Sequence, residues 1–178
     1  MEHGFGASPL YSLGVEEEFQ ILHGETYDLR SRFDEVAAAA GEDEQIKPEL
    51  LQSTVEVATR ICTSVAEAED ELRGLRRKLG DAAADRGAHI ASAGTHPFAR
   101  YEHQEVTRAE RYETLMEDMR WIAERELIFG LHVHVGLDAP QKAISVANAL
   151  RTWLPELLAL CANSPFWQGP EITRVGFA

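Results

Sequence analysis

The sequence predicts an α+β domain with a one-sided sheet, and two observations carry that prediction. Segments of strand and helix character alternate along the 178 residues. The strand segments in turn alternate apolar residues with carboxylates or imidazoles. Element order alone favours a parallel α/β sheet. A strand covered by helices on both faces, however, is almost continuously apolar, so the alternation points to one face under helices and the other facing chemistry or water. With 44% hydrophobic residues, no internal repeat and no low-complexity segment, the chain can bury one substantial core.

The elements follow in order. Residues 1–11, rich in Gly, Ser and Pro, read as a flexible lead-in. "LGVEEEFQIL" reads as a strand, "HGETYDL" as a turn, and "SRFDEVAAAAG" as a short helix stopped by Gly41. Extended structure resumes in "EDEQIKPELLQSTVEVATR", where Val55 and Val57 alternate with Glu56 and Ala58. The clearest helix opens at Ser64 with Glu67 three residues on as a capping box. Its stripe is Val65, Ala68, Leu72, Leu75, Leu79 and Ala82.

"AHIASAGTHPF" gives a strand and a loop at Gly94 to Pro97. "AERYETLMEDMRWIAERELI" gives a second amphipathic helix on Tyr112, Leu115, Met119 and Ile122. In "FGLHVHVGL", alternation puts His132 and His134 on one strand face and Leu131, Val133 and Val135 on the other. Asp138 is the expected cap of the last helical region, with Pro140 just inside and Gln141 at the third position. Ile144, Ala147, Leu150, Leu154, Leu157 and Cys161 form its stripe, and Pro155 should kink or split it.

Charge narrows the partners. Thirty acidic residues against 17 basic ones give a net charge of −13, which repels nucleic-acid phosphates and anionic membrane surfaces and suits divalent cations. No apolar run reaches the about 20 residues that span a bilayer. Cys62 and Cys161 lack a CxxC spacing, and the N-terminus lacks a secretory pattern, so a reducing cytoplasm is the expected location.

The glutamate triplet is the first site signal. On a strand, Glu16 and Glu18 share a face while Glu17 points away. Two carboxylates about 7 Å apart repel unless a cation lies near, and hard oxygen donors suit Mg²⁺ or Mn²⁺. The competing reading is a solvated edge-strand face. Glu56, flanked by valines, is a third such carboxylate, and Glu49 lies just upstream. The His132/His134 pair can ligate a metal or contact phosphate and carboxylate groups. His96 in "GTHPF" is a further candidate. Walker, GxGxxG, GxSxG and HExxH motifs are absent.

Five segments, "LGVEEEFQIL", "KPELLQSTVEVAT", "SAGTHPFA", "ERYETLMEDMRWIAERELIFGLHVHVGL" and "LRTWLPELLALCANSPFWQG", resemble the second glutamate-cysteine ligase family. These are the YbdK-type carboxylate-amine ligases of the glutamine synthetase-like superfamily. The resemblance implies an antiparallel sheet curved into a bowl, with helices on the convex side and the site on the concave face. It also implies phosphorylation of a γ-carboxylate such as glutamate's by ATP, then displacement of phosphate by an amine such as cysteine's. Carried over by motif, Glu16, Glu18 and Glu56 would be catalytic and hold Mg²⁺ or Mn²⁺, with Glu49 a further ligand or substrate contact. His132 and His134 would contact nucleotide and substrate, and Thr95, His96 and Pro97 would border the pocket.

The resemblance covers residues 12–169, which it makes the N-terminal part of such a catalytic domain, and leaves 170–178 as a divergent tail. The family's further strands are expected to lie outside this sequence. An open sheet edge should then favour a homo-oligomer or a complementing chain. Two alternatives stand beside the ligase: a catalytically defective homologue acting as a binding or assembly module, and a zinc-dependent hydrolase built on HxH.

Overall fold

Strand β1, Leu13–His23, is the axis of the sheet. A computed structural model describes residues 6–162 and 164–169, and in it β1 pairs on one side with β3, Thr54–Ala58. On its other side the first half of β1 pairs with β5, Leu131–Val135, and the second half with β4, Ala88–Ala91. A short β2, Ile46–Pro48, lies outside β3. Every strand pairing among the described residues is antiparallel, so the parallel sheet that element order favours does not form. The reason lies in β1, whose two faces differ too much for both to be buried under helices.

One face is dry. Phe19 and Ile21 of β1 meet Val55 and Val57 of β3 under α2, Val65–Ala84, which contributes Leu75, Leu79, Ala82 and Ala83. Phe33 and Val36 of α1, Phe33–Ala40, close the same core. Gly41 ends α1 with φ 80°, a conformation that costs glycine least. At the start of α2, Ser64 Oγ accepts the Glu67 N–H at 3.2 Å. The Glu67 carboxylate accepts from Thr63 N–H and O–H, not from Ser64, so the capping box is half formed. Val65, expected in the stripe, is 73% exposed, because the first turn overhangs the sheet.

Glu17 also points into this dry face, as expected of its parity, and is 2% exposed. Arg76 of α2 donates to both its oxygens, through Nε at 2.7 Å and through Nη2, and Ser92 Oγ donates at 3.1 Å. A buried carboxylate is tolerated only when its lone pairs are met in this way.

Three expectations change. The second amphipathic helix divides into α3, Glu110–Met119, and α4, Trp121–Glu124, because Arg120 adopts φ 47°. Tyr112 is buried with Leu50, Leu51, Ala99, Leu127 and Phe129, whereas Met119 and Ile122 face outward. Asp138 does not cap the last helical region: Ala139 is the N-cap, and Asp138 pairs with Lys142 at 2.5 Å. The split near Pro155 does occur, as a 3₁₀ turn, Arg151–Trp153, between α5, Pro140–Leu150, and α6, Leu154–Cys161.

The stripe of α5 and α6 is not core, since Ile144, Leu150, Leu154 and Leu157 are exposed. So are Leu131, Val133 and Val135 on the apolar face of β5. Helix α2 packs on β3, β1 and β4, with Ala68 and Leu72 meeting Val15 and Leu13 of β1, but leaves the neighbouring apolar face of β5 exposed. The end of the lead-in is tied down, Tyr11 by its N–H to Gly136 O and Pro9 by its carbonyl to Ser12 Oγ; residues 1–5, 163 and 170–178 lie outside the described residues.

Leu79→Ala should cost about 2–5 kcal/mol in urea denaturation, while Val65→Ala should stay within about 0.5 kcal/mol. Arg76→Ala should cost about 2 kcal/mol, below the cost of breaking a fully buried pair because Arg76 is half exposed.

Candidate functional site

The open face carries a row of charge across three strands. Antiparallel register places Glu18 of β1 directly opposite Glu56 of β3, and Glu56 directly opposite Lys47 of β2. Like charges directly opposite each other destabilise a sheet. The turn from β2 to β3 adds Glu49, and Glu18, Glu49 and Glu56 each bring a carboxylate oxygen within 4.8 Å of the others.

Their other partners are few. Gly130 N–H donates to Glu18 Oε2 at 2.8 Å, Leu50 N–H donates to Glu49 Oε2 at 3.1 Å, and Lys47 Nζ lies 3.4 Å from Glu56 Oε1. A Cβ at Gly130 would lie 3.2 Å from His132 Nε2 and 3.7 Å from Glu18 Oε2, so a larger residue there would press on the exposed His132 ring. Burial pushes the Glu18 carboxyl above its ordinary value; the Gly130 N–H opposes this and the Glu49 and Glu56 charges add to it. Burial, followed by the Glu16 charge, pushes Glu56 up as well.

Glu16 behaves differently although it shares the face. It lies opposite His132 of β5, and its Oε2 is 3.0 Å from His134 Nε2 and 3.5 Å from His132 Nδ1. The hydrogen bond from His134 holds Glu16 below the ordinary carboxylate range. The structure therefore groups Glu16 with the two histidines, and Glu49 with Glu18 and Glu56.

Thr95 and His96 are directed elsewhere. Thr95 Oγ1 donates to Phe166 O at 3.1 Å. His96 lies 2.9 Å through Nε2 from Tyr27 O, while its Nδ1 accepts the N–H groups of Phe98 and Ala99. Both residues are buried and brace the loop that carries them. Gly94 O at that loop in turn receives the Phe129 N–H, which fixes the run leading to Gly130 and β5.

Beside the carboxylate trio lies a hollow of about 180 Å³ lined by Glu18, Glu49, Leu50, Thr54, Tyr112, Leu115, Glu126 and Ile128, among others. Tyr112 and Thr54 were not singled out by sequence. Thr54 shares the parity of Glu56, which was the available signal, whereas Tyr112 reads only as a core position of an amphipathic helix. A larger hollow of about 610 Å³ at Arg60, Ile61 and Glu67 lies at the start of α2, among residues of the opposite face. Among the described residues the trio is the one set of His, Cys, Asp or Glu with ligand atoms this close. Its hard oxygen donors fit Mg²⁺ or Mn²⁺, and a divalent charge there would relieve the repulsion that burial leaves. His132 and His134 do not join a comparable set.

Comparison with known proteins adds an independent finding. The family described as "Glutamate-cysteine ligase family 2(GCS2)" matches residues 12–174. The "Putative glutamate–cysteine ligase 2-1" of Rubrobacter xylanophilus is 49% identical over 163 residues, covering 90% of this chain and 43% of that protein. The "Putative glutamate–cysteine ligase 2" of Solibacter usitatus is 43% identical over 166 residues, covering 92% and 43%. This chain thus spans less than half the length of these relatives. A glutamate–cysteine ligase of Francisella tularensis solved in complex with AMP has the same fold, with a TM-score of 0.54 at 14% identity over 82% of this chain and 30% of that one.

The shifts predict opposite pH behaviour on the two sides of β1. Glu18 and Glu56 sit above the ordinary 4.5, so their contribution to stability is present below 4.5 and lost as pH rises through their folded values. Glu16 sits below 4.5, so its contribution is present above 4.5 and lost as pH falls through its folded value. Glu18→Gln should therefore raise the urea midpoint at neutral pH and lose that advantage in acid. Glu16→Gln should lower the midpoint at neutral pH, with the deficit fading in acid.

Proposed function

The chain belongs to glutamate-cysteine ligase family 2, and from that premise we propose that it forms the N-terminal, metal- and substrate-binding half of an ATP-dependent carboxylate-amine ligase. The observation that carries this reading is the convergence of Glu18, Glu49 and Glu56 on the open face. Phosphoryl transfer needs charge neutralisation and positioning more than covalent help. Bound at the trio, Mg²⁺ or Mn²⁺ supplies that neutralisation for the oxygens of ATP.

The chain's own residues do the rest of the positioning. Glu16 orients the imidazoles of His132 and His134, whose second ring nitrogens donate to phosphate or a substrate carboxylate when the rings are protonated. An oxygen of a glutamate-type γ-carboxylate attacks the terminal phosphorus, and ADP leaves. The nitrogen of an amine such as cysteine's then attacks the acyl carbon, phosphate leaves, and the nitrogen gives up a proton. The hollow beside the trio suits the amine: Glu126, outside the trio, balances its ammonium charge before the nitrogen deprotonates, and Leu50, Leu115 and Ile128 receive a small apolar side chain. A nucleoside triphosphate as co-substrate fits work in the cytoplasm.

A second reading, as a binding or assembly module, draws on the exposed apolar residues of β5, α5 and α6. It predicts self-association or pairing with a complementing chain by light scattering. The HxH hydrolase has weaker support: Glu16 lies close to both His132 and His134, but among the described residues only Glu18, Glu49 and Glu56 bring their ligand atoms within 4.8 Å of one another.

Titration with Mn²⁺ followed by electron paramagnetic resonance should show binding that Glu56→Gln or Glu49→Gln weakens by about a hundredfold. ADP release should require glutamate, an amine and the metal together. Metal binding without turnover would assign the chain a binding share that the rest of the family domain completes. Absence of metal binding in the native chain would refute the proposal.

A further inference from the structure

We propose that Lys47 is the built-in counter-cation of the carboxylate trio, occupying Glu56 until a divalent ion displaces it. This rests on the preceding reading that the trio takes such an ion, and it adds a competitor that the chain itself carries.

Four observations lead to it. Register sets Lys47 opposite Glu56 on the open face, at the end of the row that continues to Glu18. The Lys47–Glu56 contact, 3.4 Å, is the one ion pair that reaches the trio among the described residues. The two ends differ in freedom: the Glu56 side chain is 11% exposed and fixed in the centre of the sheet, whereas that of Lys47 is 46% exposed at the outer strand and can swing to water. Finally, Glu18 and Glu49 receive backbone N–H groups, and among the described residues no other Lys or Arg forms an ion pair with the trio.

Lysine is the suitable residue for a movable charge. It is a compact ammonium on a flexible stem, whereas arginine would clamp the carboxylate through two bonds. A divalent ion arriving at Glu56 competes for the same carboxylate and meets like charge about 5 Å away, a repulsion equivalent to roughly tenfold in affinity even at the dielectric of water. The ion must therefore either expel Lys47 or bind more weakly in its presence.

The test is Mn²⁺ affinity of the native chain, Lys47→Met and Lys47→Arg, measured by electron paramagnetic resonance at low and high ionic strength. Lys47→Met should bind about tenfold more tightly at low salt, and the gain should shrink as salt screens the charge. Lys47→Arg should gain nothing. Without metal, Lys47→Met should unfold at a lower temperature than the native chain, and saturating Mn²⁺ should remove the difference. Lys47→Gln carries the same expectations should the methionine variant fail to fold. Unchanged or weaker Mn²⁺ binding by the neutral variants, with the native chain binding normally, overturns the inference and leaves the function reading intact. No binding by the native chain or by either neutral variant overturns both.

Discussion

The buried carboxylate of Glu17 is the interaction on which the site depends. Three consecutive glutamates cannot all face water from the central strand of a sheet, because parity sends the middle one inward. Arg76 and Ser92 meet its oxygens, and with them strand β1 is tied at mid-length to α2 and to the residues just after β4. The same tie fixes which way Glu16 and Glu18 point. A one-residue slip of β1 would exchange one inward glutamate for two, while sending Val15, Phe19 and Ile21 into water, so apolar burial and the ion pair select the same register.

On the opposite face the structure tolerates what the core does not. Glu18 faces Glu56 across the β1–β3 ladder, Glu49 closes on both, and burial raises the two strand carboxyls. A domain selected for stability alone would place an opposite charge or a hydroxyl opposite Glu18. The unfavourable arrangement lies at the positions where the proposed divalent ion would reverse its sign, and strands fixed by the core hold it rigidly. The stability lost there is the counterpart of the binding energy proposed for the ion.

Local pattern made much of this legible. Period two gave β1, β3 and β5 and the inward turn of Glu17; a stripe of three and four steps with Ser64 ahead of it gave α2; Gly41 and Pro155 marked helix boundaries. What the pattern missed is tertiary. Glu49 lies in a turn, where parity does not apply, so its approach to Glu18 depended on how residues 49–53 reverse the chain. Arg76 read as one more charge on the solvated face of a helix, although its guanidinium reaches past Phe19 to Glu17. His96 carried the residue type of a ligand but spends its ring nitrogens on a carbonyl and two amides of neighbouring loops. The break at Arg120 had no glycine or proline to announce it.

The division between Glu16 and Glu18 follows from the neighbours that β1 acquires, not from the glutamates themselves. The two side chains have the same chemistry, lie on the same face and stand one pleat apart. Glu18 lies opposite Glu56 with Glu49 close by, half-buried among carboxylates. Glu16 lies opposite His132 with His134 within hydrogen-bond distance, and opposite Ala58 on its other side. One carboxyl is pushed up and the other down. Environments that drive identical groups apart in this way are how a site obtains separate roles from one residue type. Here they separate a carboxylate set among other carboxylates from one hydrogen-bonded to an imidazole, and β1 supports both because β3 and β5 flank it on opposite sides.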